Sequence, residues 1–234
     1  CFPKRKKSCM LYLARKDSFP IHRLRLMKYL RFLFALMATA LMATVGHAQK
    51  GRAVNVTVPE ELEATLFSPN TLTPCVACIG VAPTGEVYAG VDRIGSLGKG
   101  GGKGSIIRLI DADHDGISEA HTVYAVIDNP RGIVPVGDKL YVLHTKWGEG
   151  KKFEGMFLSV LTDANGDGKA DGPPKHLVKE ISTRKFNQAR GVDHTTNGIR
   201  MGIDGWIYVA IGDFGFVDAE GTDGTKLTMY GGGV

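Results

Sequence analysis

Gly132-Ile-Val-Pro-Val-Gly137-Asp-Lys-Leu-Tyr141-Val-Leu143 is the stretch on which the fold turns. An apolar run meets a Gly-Asp pair that reverses the chain, and a β-branched and aromatic run returns, which is the pattern of a hairpin. The pattern occurs twice more, as Gly80-Val-Ala-Pro-Thr-Gly85-Glu-Val-Tyr88-Ala-Gly90 and Arg200-Met-Gly-Ile-Asp-Gly205-Trp-Ile-Tyr208-Val-Ala210, with successive tyrosines 53 and 67 residues apart. Each of the first two hairpins is followed by another: Ser105 to Ile110 with His121 to Ile127, then Met156 to Leu161 with His176 to Ile181. Four strands per repeat, at a period near the roughly 40 to 50 residues of propeller repeats, predicts an all-β chain built as a β-propeller. The blades fall at about 70–127, 128–182 and an incomplete 194–234, some two and a half in all. Nothing after Thr71 reads as a long amphipathic helix, which argues against an α/β fold. An all-β sandwich is the alternative, and it does not call for a repeat.

Outward from the third hairpin lies the candidate chemistry. Ile199, Met201 and Ile203 alternate, Asp204-Gly205 supplies a tight two-residue turn, and Trp206 to Ile211 returns. His194 and Asp213 lie at comparable distances from that turn, so the antiparallel arms bring them together beyond the strand ends. A carboxylate that holds one imidazole tautomer and raises its basicity makes a general base. The alternative is a pair of polar residues that merely end two strands.

Two acidic loops join outer strands. Asp111-Ala-Asp113-His-Asp115-Gly-Ile-Ser-Glu119 and Asp163-Ala-Asn165-Gly-Asp167-Gly-Lys-Ala-Asp171 share one spacing. Oxygen ligands at alternate positions converge on a hard cation, and the ninth-position acid closes the shell, so both read as structural calcium loops. An EF-hand is excluded because its twelfth position falls on Thr122 and Pro174. The competing reading is a solvated acidic turn.

The beginning of the chain reads as two segments. Residues 1–26 are a basic run that reads as translated upstream sequence or a fragment edge, and a signal peptide is expected over 27–48: Lys28 and Arg31, an apolar Phe32 to Val45, then Gly46-His47-Ala48 as the cleavage site. The apolar run is shorter than the roughly 20 residues needed to span a bilayer, so the expectation is an exported protein, periplasmic or secreted, with membrane association left open. The leader and signal peptide hold most of the basic excess. Beyond Ala48 there remain 19 of the 29 basic and 23 of the 24 acidic side chains, a net charge of −4. Nucleic-acid binding therefore loses its electrostatic support.

Residues 49–69 form a lead-in segment. Of four cysteines, Cys75 and Cys78 lie in the mature part; Ile79 stands where a haem-attachment motif needs His, and both cysteines are expected as small buried residues of a first strand. Gly95 to Gly104 lacks the ending of a phosphate-binding loop and reads as a flexible connection, and Lys146 to Phe153 as a polar loop rimming the central mouth.

The interval from His194 through Gly202-Ile203-Asp204 to Gly212-Asp213-Phe214-Gly215 resembles that of the soluble quinoprotein glucose and sorbosone dehydrogenases. With Asn129-Pro130-Arg131-Gly132-Ile133 before it and Gly231-Gly232-Gly233 after it, the segment from about Pro69 onward is more specifically similar to the membrane-bound dehydrogenases of planctomycete-type bacteria, secreted proteins that often carry a haem-binding domain. The resemblance implies a six-bladed propeller of which this chain is the N-terminal part, the missing C-terminal blades being its structural partners. It implies oxidation of a sugar or polyol, with pyrroloquinoline quinone as cofactor and a cytochrome c-type domain as electron acceptor. His194 then corresponds to the base and Asp213 to its support, while Arg131, Asn197 and Arg200 are candidates for the substrate or cofactor wall. Thr195-Thr196-Asn197 departs from the shorter approach of the sugar dehydrogenases. From another class, the alternative is a non-catalytic, calcium-stabilised propeller that binds carbohydrate or a partner protein.

Overall fold

The computed structural model describes residues 56–234. The leader, the signal peptide and the start of the lead-in segment lie outside the described residues. Four strands, β1 (Val76–Val81), β2 (Val87–Asp92), β3 (Gly104–Ile110) and β4 (Ala120–Val126), pair in chain order as an antiparallel meander, sheet one. The next four, β5 (Asp128–Val136), β6 (Lys139–Trp147), β7 (Phe153–Thr162) and β8 (Lys175–Lys179), repeat that topology as sheet two. The described chain is thus all-β with antiparallel sheets, as the repeat predicts.

The third repeat differs from the expectation. After β8 comes a seven-residue helix, α1 (Arg184–Arg190), and then a two-stranded ribbon of β9 (Ile199–Met201) and β10 (Ile207–Val209). The hairpin of β11 (Phe216–Gly221) and β12 (Lys226–Met229) does not join that ribbon; it pairs with the outer edge of sheet two, Glu220 opposite Lys179 and Gly221 opposite Val178. Residues 194–234 are therefore divided between two sheets rather than forming one incomplete blade.

Turn chemistry explains the hairpins. Gly137 takes φ 58 in the two-residue turn between the paired Val136 and Lys139. The turn after β9 is longer than expected: Gly202 N–H donates to Trp206 O at 2.8 Å and Gly205 N–H to Gly202 O at 3.0 Å, leaving Ile203, Asp204 and Gly205 as a three-residue loop. Only Gly205 there has positive φ, 83°, while the Asp204 carboxylate accepts from Trp206 N–H at 3.1 Å and Tyr208 O–H at 2.7 Å. A turn closed by a left-handed glycine lets the arms keep their twist. Gly221-Thr-Asp-Gly224 repeats the arrangement at the tip of β11–β12.

The layers stack through alternating side chains. Ile106, Tyr124 and Ile127 of sheet one and the link to sheet two meet Ile133, Leu140, Val142 and Leu161. On the far side of sheet one, Ala89, Val91, Ile107 and Leu109 are covered by Phe67 and Leu72 of the lead-in segment. On the far side of sheet two, Leu143, Met156 and Leu158 pack with Val192, Ile199 and Phe216. Each fully buried Leu, Ile or Val contributes about 1.5–3 kcal/mol, so these faces dominate the stacking.

Three loop readings are corrected. Gly95 to Gly104 is not a free tether, since Ser96 O accepts from Val192 N–H at 2.6 Å, Lys99 Nζ donates to Ala189 O at 2.8 Å and Gly102 N–H to Asp128 Oδ1 at 2.7 Å. Lys146 to Phe153 is not wholly polar: Trp147 and Phe153 are buried edge-to-face, ring centroids 5.2 Å apart. Cys75 is exposed and precedes β1, and Cys78 is half-buried within it; both are free. Burial pushes the Cys78 thiol up to about 12, against the nearby Arg131 charge, which makes it inert.

Candidate functional site

The Gly212 to Gly215 turn places Asp213 beside His194. Gly215 N–H donates to Gly212 O at 3.0 Å, and Phe214 N–H to His194 O at 3.3 Å. Gly212 is dictated by close approach: a Cβ there would collide with the carbonyl oxygens of His194 and Thr195. Thr183, at the start of α1, fixes the turn from outside, its hydroxyl donating to Phe214 O at 2.7 Å and its N–H to Gly215 O at 3.0 Å. The result is the pairing the hairpin symmetry predicts: His194 Nδ1 and Asp213 Oδ1 are 2.6 Å apart. A carboxylate accepts only, so Nδ1 holds the proton and the lone pair of neutral His194 is on Nε2. His194 is 41% and Asp213 68% exposed, which leaves Nε2 reachable by a ligand.

Three residues that the sequence did not single out complete this site. Phe214 stacks under the imidazole, centroids 5.5 Å apart and planes 19° from parallel. Arg190, the last residue of α1, stands 5.7 Å over the Phe214 ring and 3.4 Å from Asp193 Oδ2. That same Asp193 oxygen is 3.6 Å from His194 Nε2. Asp193 was legible only as a neighbour of His194, because its orientation depends on the turn of chain after α1.

Beneath the site, β5 ties the layers together. Arg131, 9% exposed, pairs with Asp92 of β2, 2% exposed, at 2.7 Å. Asn129 donates through Nδ2 to both Asp92 oxygens at 3.1 and 3.2 Å, and its Oδ1 accepts from Thr145 Oγ1 at 2.6 Å and Trp147 Nε1 at 2.7 Å. Arg131 O in turn accepts from Gly198 N–H at 3.0 Å, which seats the ribbon. Burial lowers the Arg131 pKa, and Asp92 opposes the shift. A buried pair with one member removed costs about 3–5 kcal/mol, so Arg131 is a clamp between sheets; Asn197 and Arg200 are exposed on the ribbon side. Asn197 Nδ2 donates to Thr195 O at 2.7 Å, which stiffens the approach to His194.

The acidic loops lie at the opposite ends of the strands. They join β3 to β4 and β7 to β8, and a seven-residue strand such as β3 sets them roughly 20 Å from the His194 end. Their frames match: Ala112 and Ala164 N–H each donate at 2.7 Å to the ninth-position acid, Glu119 or Asp171, and Gly116 and Gly168 N–H donate to the first-position Asp111 and Asp163 at 3.0 and 2.9 Å. In the first loop, ligand oxygens of Asp111, Asp113, Asp115 and Glu119 lie within 4.8 Å of one another, as a single cation would require. Local desolvation, and then the charges of Asp113, Glu119 and Asp111, hold the Asp115 carboxyl above its usual range. In the second loop Asn165 Oδ1 and Asp167 Oδ1 accept from Asp167 and Lys169 N–H, both at 2.9 Å.

A third cluster, buried His144 and Ser159 with half-buried His176, lies within sheet two, Ser159 Oγ standing 2.8 Å from both His144 Nε2 and His176 Nδ1. An apolar groove of about 420 Å³ runs between the ribbon and β11–β12, lined by Leu158, Val178, Ile207, Val209, Phe216 and Met229 among others. Its rim includes Tyr208, whose hydroxyl donates to Asp204 at 2.7 Å.

Residues 69–232 match the model of the family described as Domain of unknown function (DUF7133), and the chain belongs to that family. A comparison with curated proteins finds no match.

Proposed function

We propose that this member of the DUF7133 family works as an exported β-propeller dehydrogenase that oxidises a sugar or polyol hydroxyl, with His194 as general base. The observation that carries the reading is the 2.6 Å contact between Asp213 and His194 Nδ1, with Nε2 in no hydrogen bond among the described residues and Asp193 Oδ2 3.6 Å from it. Asp213 fixes the tautomer and stabilises the imidazolium; Nε2 takes the hydroxyl proton while hydride leaves the same carbon for an acceptor. Phe214 stacked beneath the ring restricts its rotation. The propeller reading is supported by two successive meanders stacked face to face with matching loops.

The resemblance to the quinoprotein sugar dehydrogenases names pyrroloquinoline quinone as that acceptor. A tricarboxylate of this kind calls for cations. Arg131 is committed to Asp92 and Arg190 to Asp193, so of the three arginines Arg131, Arg190 and Arg200 only Arg200 offers an exposed guanidinium outside such a pair. The described residues do not by themselves make a quinone cradle; cations of further blades would have to supply one, with a cytochrome c-type domain as electron acceptor. Calcium in the two acidic loops would serve rigidity. Export rests on the signal peptide at 27–48; among the described residues no helix is long and apolar enough to cross a membrane.

The test is dye-linked oxidation of aldoses and polyols by the full-length protein, supplied with pyrroloquinoline quinone and calcium. His194→Ala is expected to lower turnover about 100- to 10,000-fold with little change in melting temperature, and Asp213→Asn to lower it less. Full activity in His194→Ala, or no oxidation of any substrate by the wild type, overturns the dehydrogenase reading in favour of a non-catalytic propeller that binds carbohydrate or a partner protein.

A further inference from the structure

The acidic loops do more than turn the chain. Each reaches off its own sheet and grips the layer before it, and the two grips use the same loop positions. In the second loop the sixth residue, Gly168, abuts β3 and β4: a Cβ built there would stand 2.9 Å from Arg108 Nη1 and 3.4 Å from Thr122 Oγ1. Its eighth residue, Ala170, donates N–H to Tyr124 O at 2.9 Å. In the first loop the sixth residue, Gly116, abuts Thr65, whose Oγ1 donates to Gly116 O at 2.7 Å. The eighth, Ser118, donates N–H to Phe67 O at 2.9 Å. Thr65-Leu66-Phe67 therefore occupies the register of Thr122-Val123-Tyr124.

The packing repeats as well. Tyr124 projects from β4 into the cluster with Ile133, Leu140, Val142 and Leu161, between sheets one and two. Phe67 packs with Ala89, Val91, Ile107 and Leu109, on the face of sheet one that points away from sheet two. A surface tether has no reason to reproduce both the backbone bond and the aromatic insertion of an outer strand at the same offsets. Random coil laid on an apolar face would share the burial but not the register.

We propose that Thr65–Phe67 is a surrogate outer strand: a strap that stands toward sheet one as β4 stands toward sheet two, locked by the first acidic loop. The loops are then clasps between successive layers, and the lead-in segment is the layer that precedes sheet one. The strap does not rest on the dehydrogenase reading or on calcium, because the grips are made by Thr65, Phe67, Gly116 and Ser118 themselves.

The experiment is amide hydrogen exchange on the full chain in chelator, read at the two loops. Net hydrogen-bond contributions of the usual size correspond to roughly 2- to 10-fold changes in an opening equilibrium. Thr65→Val and Phe67→Ala are each expected to speed exchange at Ser118 by that factor while leaving Ala170 unchanged. Phe67→Tyr, which installs the ring found at the equivalent position, is expected to keep wild-type protection. Ser118 exchanging in the wild type as fast as an open amide, or unchanged in both Thr65→Val and Phe67→Ala, overturns the strap. Equal acceleration at Ala170 would mean general loosening and overturns it too.

Discussion

The proton arrangement at His144 is fixed by elimination. Its Nδ1 is 2.9 Å from Thr145 O, a pure acceptor, so Nδ1 carries the hydrogen. Nε2 must then accept from Ser159 Oγ, and Ser159 Oγ accepts from His176 Nδ1–H. Protonating His144 would aim two N–H donors at one hydroxyl that is wholly buried. Burial first, with the His176 charge adding and the Thr145 carbonyl opposing, depresses the His144 pKa to about 4, and burial together with Lys179 and Lys146 depresses His176. Below an unfolded pKa of about 6.5 the unfolded chain binds a proton that the native chain refuses, so this stability is complete above about 6.5 and is lost as pH falls toward 4. The loss amounts to about 3 kcal/mol at most. Urea midpoints measured from pH 7 to 4.5 should fall in the wild type and flatten in His144→Gln; parallel slopes would count against the assignment. His194 and Asp213 were legible in the sequence because both hang from one hairpin. His144 was not, because Ser159 and His176 reach it from two neighbouring strands whose register no local pattern encodes.

Among elements, the turns were the readable part and the strand partners the unreadable part. Gly202-Ile-Asp-Gly205 and Gly221-Thr-Asp-Gly224 spell the same turn, yet only the first reads as a hairpin from its flanking residues. What hid the second was its destination: β11 pairs with β8, more than thirty residues back, and non-local pairing leaves no trace in periodicity. The four-residue turn that holds Asp213 is the element most exposed to damage. Gly212→Ala must push a methyl against the carbonyls of His194 and Thr195, at a cost of about 1–3 kcal/mol for overpacking of this kind. We expect a lower melting temperature together with loss of the His194–Asp213 contact, visible by NMR as loss of the hydrogen-bonded His194 Nδ1–H signal. An unchanged signal would mean that the turn relaxes without moving Asp213.

For the whole molecule, stability is a matter of layers held in sequence, and the acidic loops sit where one layer is fastened to the next. A cation bound only by the folded state stabilises it by mass action, about 2.7 kcal/mol at one hundred times its dissociation constant. Chelation should therefore lower the melting temperature, with Asp115→Ala and Asp167→Ala each removing part of the difference; identical curves with and without chelator would eliminate structural calcium. The layered order was legible because the hairpin pattern recurs; the fate of the third repeat was not, since the Ile211–Gly233 bridge is set by tertiary packing. That bridge has an evolutionary and engineering corollary. The chain departs at Ile211 and returns beside it at Gly233, so everything between is a detour with adjacent ends, and its tip at Thr222 to Gly224 is exposed. Related sequences are expected to differ in length there more than elsewhere, and a peptide tag spliced between Asp223 and Gly224 should leave the rest of the molecule undisturbed.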